Sequence, residues 1–282
     1  MAHRAHGPPA GGRGRARADQ LRRRLRRGRP QRRPPAGRGG APGLEVLVEV
    51  DSGHHRSGVA PAAAPDVAEA ARAGGLRIAG VFTFPGHSYA PGAAAEVARQ
   101  EREALNDAAE RLEAAGFDVA RRSGGSTPSA LLTEPCGATE IRPGVYVFGD
   151  AQQVELGRCA PEDVALTVWS TVVSRHEDPE GPEGSRRVVL DAGTKTLGGD
   201  RPAWASGYGR LAEHPGARIS ALSEHHATVL WPEGEELPTL GTRLRVIPNH
   251  VCLVPNLVDE VLVDAGAEGL LTWRVAARGR NG

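Results

Sequence analysis

Near the C-terminal end of the chain an imidazole and a thiol stand two positions apart, in the run Pro248, Asn249, His250, Val251, Cys252. On an extended strand such residues project from the same face, so His250 and Cys252 could share one metal ion. Zinc suits an imidazole–thiolate pair, and two local protein ligands would leave positions open to water or substrate, as catalytic zinc requires. A structural reading uses the same residues differently, with Cys252 as a small buried apolar group and His250 as a hydrogen-bonded loop residue.

A second constellation combines glycines with hydroxyls. Residues Ser123 to Ser129 read SGGSTPS, and Gly124, Gly125, Ser126 and Thr127 offer small side chains, free backbone N–H groups and two hydroxyls just before a helix. That chemistry suits a phosphate group, although a Gly-rich turn with a Ser or Thr helix cap needs the same residue types. Three further motifs, VEVDSGHHRSGV (Val48 to Val59), TFPGHSY (Thr83 to Tyr89) and EIRPGVYVFGDAQQ (Glu140 to Gln153), also end strand-like runs. His87 and Tyr89 are site residues or exposed turn residues, and Arg142, Pro143 and Gly144 also fit a plain turn. His225 and His226 face opposite ways if they lie on a strand, which would aim one of them into a cleft. Cys136 and Cys159 have no His at metal-ligand spacing and are expected to be inert thiols.

The elements that must position these residues follow from periodicity. Runs at Leu44 to Val50, Leu76 to Phe84, Asp118 to Arg122 and Thr139 to Phe148 alternate with helical or loop segments, the rhythm of a parallel βα sheet. A helix is predicted over Ala93 to Ala115 from the spacing of Val97, Leu105, Ala108 and Leu112, with Gly116 as its stop and its charged face toward solvent. Beyond Leu156 short β-rich runs follow: Ala165 to Ser174, Arg186 to Asp191, Ala217 to Leu222, His226 to Trp231, Arg243 to Pro248 and Glu260 to Val263. The expected organisation is half of a βα barrel over 44–155 and an all-β domain over 156–282.

Composition separates off the first 43 residues, where thirteen Arg stand against one Asp; the rest of the chain sums to an acidic balance within an overall net charge of +1. The Arg-, Pro- and Gly-rich start has too little apolar surface to offset the entropy of folding. It is expected to be disordered, to act as a polyanion-binding arm, or to be translated from a shifted reading frame. The acidic remainder offers no basic surface for nucleic acid. No apolar run is long enough to span a membrane, and three cysteines suit a reducing cytoplasm.

Taken in order, VEVDSGHHRSGV, TFPGHSYAPG, RSGGSTPS, EIRPGVYVFGDAQQ, LDAGTKTLGGD, LSEHHATV and VIPNHVCLVPNL resemble the D-serine dehydratase / D-threonine aldolase family, related to alanine racemases. The resemblance spans Leu44 to about Val263 and implies a partial βα barrel of the alanine racemase type, binding pyridoxal 5'-phosphate, followed by a β domain that completes the site, usually across a homodimer. It implies that Ser126 and Thr127, with the backbone of Gly125, Gly144 and Val145, hold the cofactor phosphate, that Tyr89, with His87, flanks its ring, and that His250 and Cys252 hold a divalent metal, zinc in the dehydratase branch. The implied substrate is a small 3-hydroxy D-amino acid, and the implied reaction is β-elimination or retro-aldol cleavage.

One part of the family pattern is missing. The family's Schiff-base lysine lies near the end of the first barrel strand, upstream of the region matched here, and the only lysine of this chain, Lys195, falls in a motif of the C-terminal domain. The chain as written is therefore expected to be a family member without turnover, with a non-catalytic scaffold as the alternative.

Overall fold

Alternation in the first strand decides which face carries the core. In β1 (Glu45–Glu49) the side chains of Val46 and Val48 share one face, and Val50 continues it. There Val48 and Val50 pack in one cluster with Ala64 and Ala68 of α1 (Ala64–Ala73) and with Leu105, Ala108, Ala109 and Leu112 of α2 (Ala94–Ala114). The computed structural model describes residues 44–130, 132, 138–177 and 186–280. The first 43 residues, with the expectations of disorder, an Arg-rich arm or a shifted frame, lie outside the described residues, as does Cys136.

β1 pairs in parallel with β2 (Arg77–Phe82), β2 with β3 (Arg121–Gly124) and β3 with β4 (Glu140–Ile141), in the order β1-β2-β3-β4. Between β3 and β4 the glycine-rich loop runs into a single helical turn, α3 (Thr127–Ala130). The fold class is thus an α/β half barrel with helices on one face. Among the described residues its outer edges, on β1 and β4, carry no further strand. The register of β1 against β2 slips between Val46 and Leu47. Gly80 makes that slip possible: its φ is +147°, and a Cβ there would lie 1.8 Å from the Arg121 carbonyl oxygen.

The last predicted strand of this half is shorter than its sequence suggested. Only Glu140 and Ile141 pair; Val145–Val147 form a 3-10 turn. Pro143 has no N–H to offer a ladder, and the Tyr146 N–H donates to Thr127 Oγ1 at 3.1 Å instead.

After α4 (Ala151–Glu155) the chain becomes antiparallel: β5 (Val168–His176), β6 (Arg187–Leu190), β7 (Gly209–Leu211), β8 (Arg218–Leu222), β9 (Ala227–Leu230) and β10 (Arg243–Pro248) form one sheet ordered β7-β10-β5-β6-β9-β8. The Tyr208 N–H donates to the Ile219 carbonyl at 2.9 Å, drawing the sheet's two edges together into a nearly closed barrel. Inside it Val188, Leu190, Leu211, Ile219, Val229 and Val246 are buried in one cluster. A smaller hairpin, β11 (Glu260–Asp264) with β12 (Leu270–Arg274), stands apart with Leu262 and Trp273 exposed. Periodicity alone gives no sign of β7, three residues long, or of β12. From Leu44 onward the chain forms one unit. Its two halves meet where Ala151 of α4 and Val164 pack on Ile247 of β10.

Candidate functional site

That apolar joint sets Asp150 beside the turn after β10. Asp150 is fully buried and caps α4, accepting the Gln153 N–H at 2.9 Å through Oδ1. Its other oxygen accepts the Val251 N–H at 3.2 Å and stands 3.7 Å from His250 Nδ1. Burial pushes this carboxyl above the ordinary aspartate range, against the opposing pull of the Gln153 and Val251 N–H groups.

His250 and Cys252 do come together, but not on a strand. β10 ends at Pro248, and both residues lie on the following turn, ahead of a short helix, Leu253–Leu257. Same-face projection is therefore corrected to turn geometry: the two side chains are close neighbours on the turn, and the interaction with Cys252 raises the His250 pKa above its usual value against the effect of burial. Cys252 is exposed, contrary to the reading of it as a buried apolar residue, and His250 Nδ1 is buried with no hydrogen-bond partner among the described residues. No group of three or more His, Cys, Asp or Glu side chains converges at metal-binding distance among the described residues. The pair offers two ligands, with the Asp150 carboxylate behind the imidazole. That donor set fits an open metal site whose His ligand is backed by a carboxylate.

Tyr89 connects this turn to the glycine-rich loop. It ends a 3-10 turn (Gly86–Tyr89) and lies beside Thr127. Burial raises its phenol pKa, and the charges of Asp150 and Cys252 add to the effect. Thr127 Oγ1 in turn receives the Tyr146 N–H, which brings the Gly144 and Val145 turn against the SGGSTPS loop. Tyr89 thus lies within electrostatic reach of Thr127, Asp150 and Cys252, and Ser126 is the immediate neighbour of Thr127.

The loop itself is tightly engaged. The Gly125 N–H donates to the Glu101 carboxylate, and the Ser126 N–H to Ser129 Oγ at 3.1 Å. The share of phosphate binding expected of the Gly125 backbone is therefore already taken by Glu101 in this structure. The N–H groups of Gly144 and Val145 make no hydrogen bond among the described residues, so they and the Ser126 and Thr127 hydroxyls make up the part of the cradle that fits a phosphate. Arg142 is no bystander in a turn: its Nε donates to Ser123 Oγ at 2.7 Å and its Nη2 to the Thr83 carbonyl at 2.9 Å, tying β4 to β3 and β2.

Beside Thr127 opens a cavity of about 540 Å³ lined by Ile141, Tyr146, Gln153 and Cys159 among others. Burial raises the Cys159 thiol pKa, which suits the inert role expected of it. His87 shares its Nε2 with Gln100 Oε1 at 2.9 Å and stacks on His54, with ring centroids 6.2 Å apart. His225 and His226 are both exposed in the turn between β8 and β9. Lys195, on the four-residue helix α5 (Thr194–Leu197), is half exposed and paired with Glu224 at 2.8 Å.

Two residues of this site escaped the sequence reading. Asp150 has a local signature, an Asp three residues before Gln153 at a helix start. Glu101 falls four residues after Val97 and four before Leu105, on the buried stripe of α2.

A half barrel with a hydroxyl-rich loop at its strand ends, joined to a β domain that brings a His–Cys turn to the same place, is the alanine-racemase-like architecture. The chain belongs to the family of serine dehydratase-like proteins with an alanine-racemase-type N-terminal domain: "Alanine racemase, N-terminal domain" matches residues 18–152 and "Putative serine dehydratase domain" matches residues 165–264. The first of these matches begins 26 residues upstream of Leu44, inside the Arg-rich segment. An uncharacterized protein of Mycobacterium tuberculosis is 64% identical over 135 residues, covering 48% of this chain and 99% of its own length. D-threo-3-hydroxyaspartate dehydratase of Delftia sp. is 36% identical over 252 residues, covering 82% of this chain. D-serine dehydratase of Dictyostelium discoideum is 31% identical over 241 residues, 76% of this chain and 59% of the relative. The chain spans 65% of the length of the Delftia enzyme.

The solved Delftia structure superposes with a TM-score of 0.71 at 34% identity over 82% of this chain and 65% of that one. D-threonine aldolase from Filomicrobium marinum superposes with a TM-score of 0.67 at 28% identity, over 85% of this chain and 65% of that one. The Delftia enzyme has also been solved with one Cys changed to Ala, in a metal-free form, and with one His, two positions earlier, changed to Ala. Among the described residues no helix is long and apolar enough to cross a membrane.

Proposed function

We propose that residues 44–282 carry the phosphate-binding and metal-binding parts of a pyridoxal-phosphate- and metal-dependent lyase acting on 3-hydroxy D-amino acids, with dehydration favoured over retro-aldol cleavage. The observation that carries this reading is that the Asp150 carboxylate, at the end of the half barrel, accepts the Val251 N–H of the His250–Cys252 turn, while Thr127 and Tyr89 lie on the same side of the half barrel. The favoured metal is zinc, and the dehydratase preference rests on Cys252 at the second ligand position, matching the paired His and Cys replaced in the Delftia variants.

When bound, pyridoxal phosphate would supply an electron sink at the substrate Cα. The Ser126 and Thr127 hydroxyls and the Gly144 and Val145 N–H groups would grip its phosphate, and Tyr89 would flank its ring. His250 and Cys252 would hold the metal, whose Lewis acidity favours departure of a β-hydroxyl. Asp150 stands 3.7 Å behind the His250 imidazole and fixes the turn through the Val251 N–H.

Lys195 does not fit the role of the lysine that carries the cofactor. Its side chain is half exposed and paired with Glu224, not held in the desolvated pocket that activates a nucleophilic amine. The chain by itself is expected to bind the cofactor through the phosphate and to release no pyruvate from D-serine. A homodimer, as the resemblance implies, belongs to the same reading.

The test is to add pyridoxal phosphate and zinc to the purified chain, record absorbance and equilibrium binding, and treat the mixture with borohydride. Reversible binding with no fixed adduct is expected. A borohydride-fixed adduct on Lys195 with pyruvate release would overturn the no-turnover part, and failure to bind either pyridoxal phosphate or zinc would overturn the site itself.

A further inference from the structure

Four oxygen-bearing side chains form a buried file behind the phosphate cradle. Glu101 is 1% exposed, and its two oxygens take the Gly125 N–H and, at 3.2 Å, the Ser129 hydroxyl. Ser129 Oγ lies 2.9 Å from Ser126 Oγ, which lies 2.7 Å from Ser88 Oγ. All three serines are at most 1% exposed. The packing leaves no slack at the carboxylate end, because a Cβ on Gly124 would lie 2.2 Å from Glu101 Oε1.

Counting protons along this file fixes its direction. An ionised carboxylate only accepts, so Ser129 must point its hydrogen at Glu101. Ser129 Oγ then accepts the Ser126 N–H and is left to accept the Ser126 hydroxyl. Ser126 Oγ receives the Ser129 N–H at 3.2 Å and, with its own hydrogen turned inward, accepts from Ser88. In that state Ser126 has no hydrogen left for a phosphate oxygen. With a proton on Glu101 the file reverses: Glu101 donates to Ser129, Ser129 to Ser126, and the Ser126 hydrogen is released from Ser129, free to turn to Ser88 Oγ or to a phosphate oxygen.

We propose that Glu101 is a positioning residue of the phosphate site, and that a phosphate group gains the Ser126 hydroxyl as a donor only when Glu101 holds a proton. The proposal rests on the reading of Ser126 as part of a phosphate cradle and adds to it a proton taken up on binding. The groups that face Glu101 from neighbouring elements are Arg142, next to β4, and His87, in the Gly86–Tyr89 turn; both charges favour the ionised form. Burial acts the other way and prevails, so the Glu101 pKa lies above the ordinary glutamate range.

Sulfate is the suitable probe, since it is a tetrahedral dianion that carries no titrating proton between about pH 5 and pH 8, leaving only the protein's groups to answer in that window. Sulfate binding to the full chain, measured calorimetrically in buffers of different ionisation enthalpy, should take up a proton in the wild type and lose up to about tenfold in affinity per pH unit above the Glu101 pKa. Glu101→Gln fixes a donor toward Ser129 and should bind sulfate without that slope. Ser129→Ala cuts the file and should flatten the slope in the same way, while thermal melts verify that both variants fold. His87 remains in every protein compared, so the difference between wild type and variants isolates Glu101.

Wild-type proton uptake that persists unchanged in both variants would overturn the inference while leaving the phosphate site standing. No sulfate or pyridoxal phosphate binding to any of the three proteins would overturn both.

Discussion

The Val251 N–H donates to the Asp150 carboxylate at 3.2 Å, joining residues 101 positions apart in sequence and binding the start of α4 to the turn that bears His250 and Cys252. Because the same carboxylate caps α4 through Gln153, one buried side chain sets both the end of the half barrel and the orientation of the His–Cys pair. Asp150→Asn keeps the volume but turns an amide N–H₂ toward one of two backbone donors. A buried hydrogen bond to a charged group contributes roughly 2 kcal/mol, so denaturant unfolding should show a loss of about that size. Zinc affinity, measured by competition with a chromophoric chelator, should fall roughly 10- to 100-fold, as for other carboxylates behind a ligating His. Unchanged zinc affinity in a destabilised variant would reduce Asp150 to a cap.

How much of this arrangement is legible in the residues alone differs from element to element. β10 is legible from end to end, because Leu244 and Val246 alternate with Arg243 and Arg245 on a half-buried strand. The His250–Cys252 pair is legible as a pair, although its geometry comes from a turn. Glu101 is not, since charges on α2 suggest a solvated face; yet Glu101 stands in the apolar stripe, and an acid at such a position requires internal partners. Asp150 is hidden for another reason. Its local cap leaves a sequence pattern, whereas its bond to Val251 depends on how the two halves dock.

Lys195 provides a contrast with Asp150. Its ion pair with Glu224 joins side chains that are 55% and 73% exposed, where solvent screens most of the attraction. Lys195→Ala should change unfolding free energy by no more than about 0.5 kcal/mol, and leave binding of pyridoxal phosphate as it was. A large loss of cofactor binding in this variant would place Lys195 at the site after all.

Asp51 governs an acid limb of stability. Burial works against its ionised form, but the N–H groups of His55 and Gly53 and the His55 imidazole outweigh it, lowering the pKa from 3.8 to about 2. A carboxyl with a depressed folded-state pKa contributes stability that is present above 3.8 and is lost as the pH falls toward about 2. Asp51→Asn should therefore melt at lower temperature than the wild type near neutral pH, with the gap closing as both are taken below about pH 2. A gap that stays constant over that range would assign the effect to something other than ionisation.

Gly80 tests the half barrel itself. Its backbone has φ +147°, a conformation that L side chains rarely adopt, at the point where β1 slips against β2. Adding a methyl group in Gly80→Ala would place a Cβ 1.8 Å from the Arg121 carbonyl oxygen, which belongs to a paired strand and has no flexible end to give way. The variant must either shift β3, which holds Ser123 and Gly124 at the head of the glycine-rich loop, or abandon the slip and rotate β1 by one residue against its helices. Either route should cost about 3 kcal/mol or more, measured as a lower denaturant midpoint. Since β3 leads directly into Ser126, the shift should also weaken sulfate binding at every pH. A Gly80→Ala protein with the wild-type midpoint and sulfate affinity would mean that β1 and β2 pair in a different register, one without the slip at Val46 and Leu47.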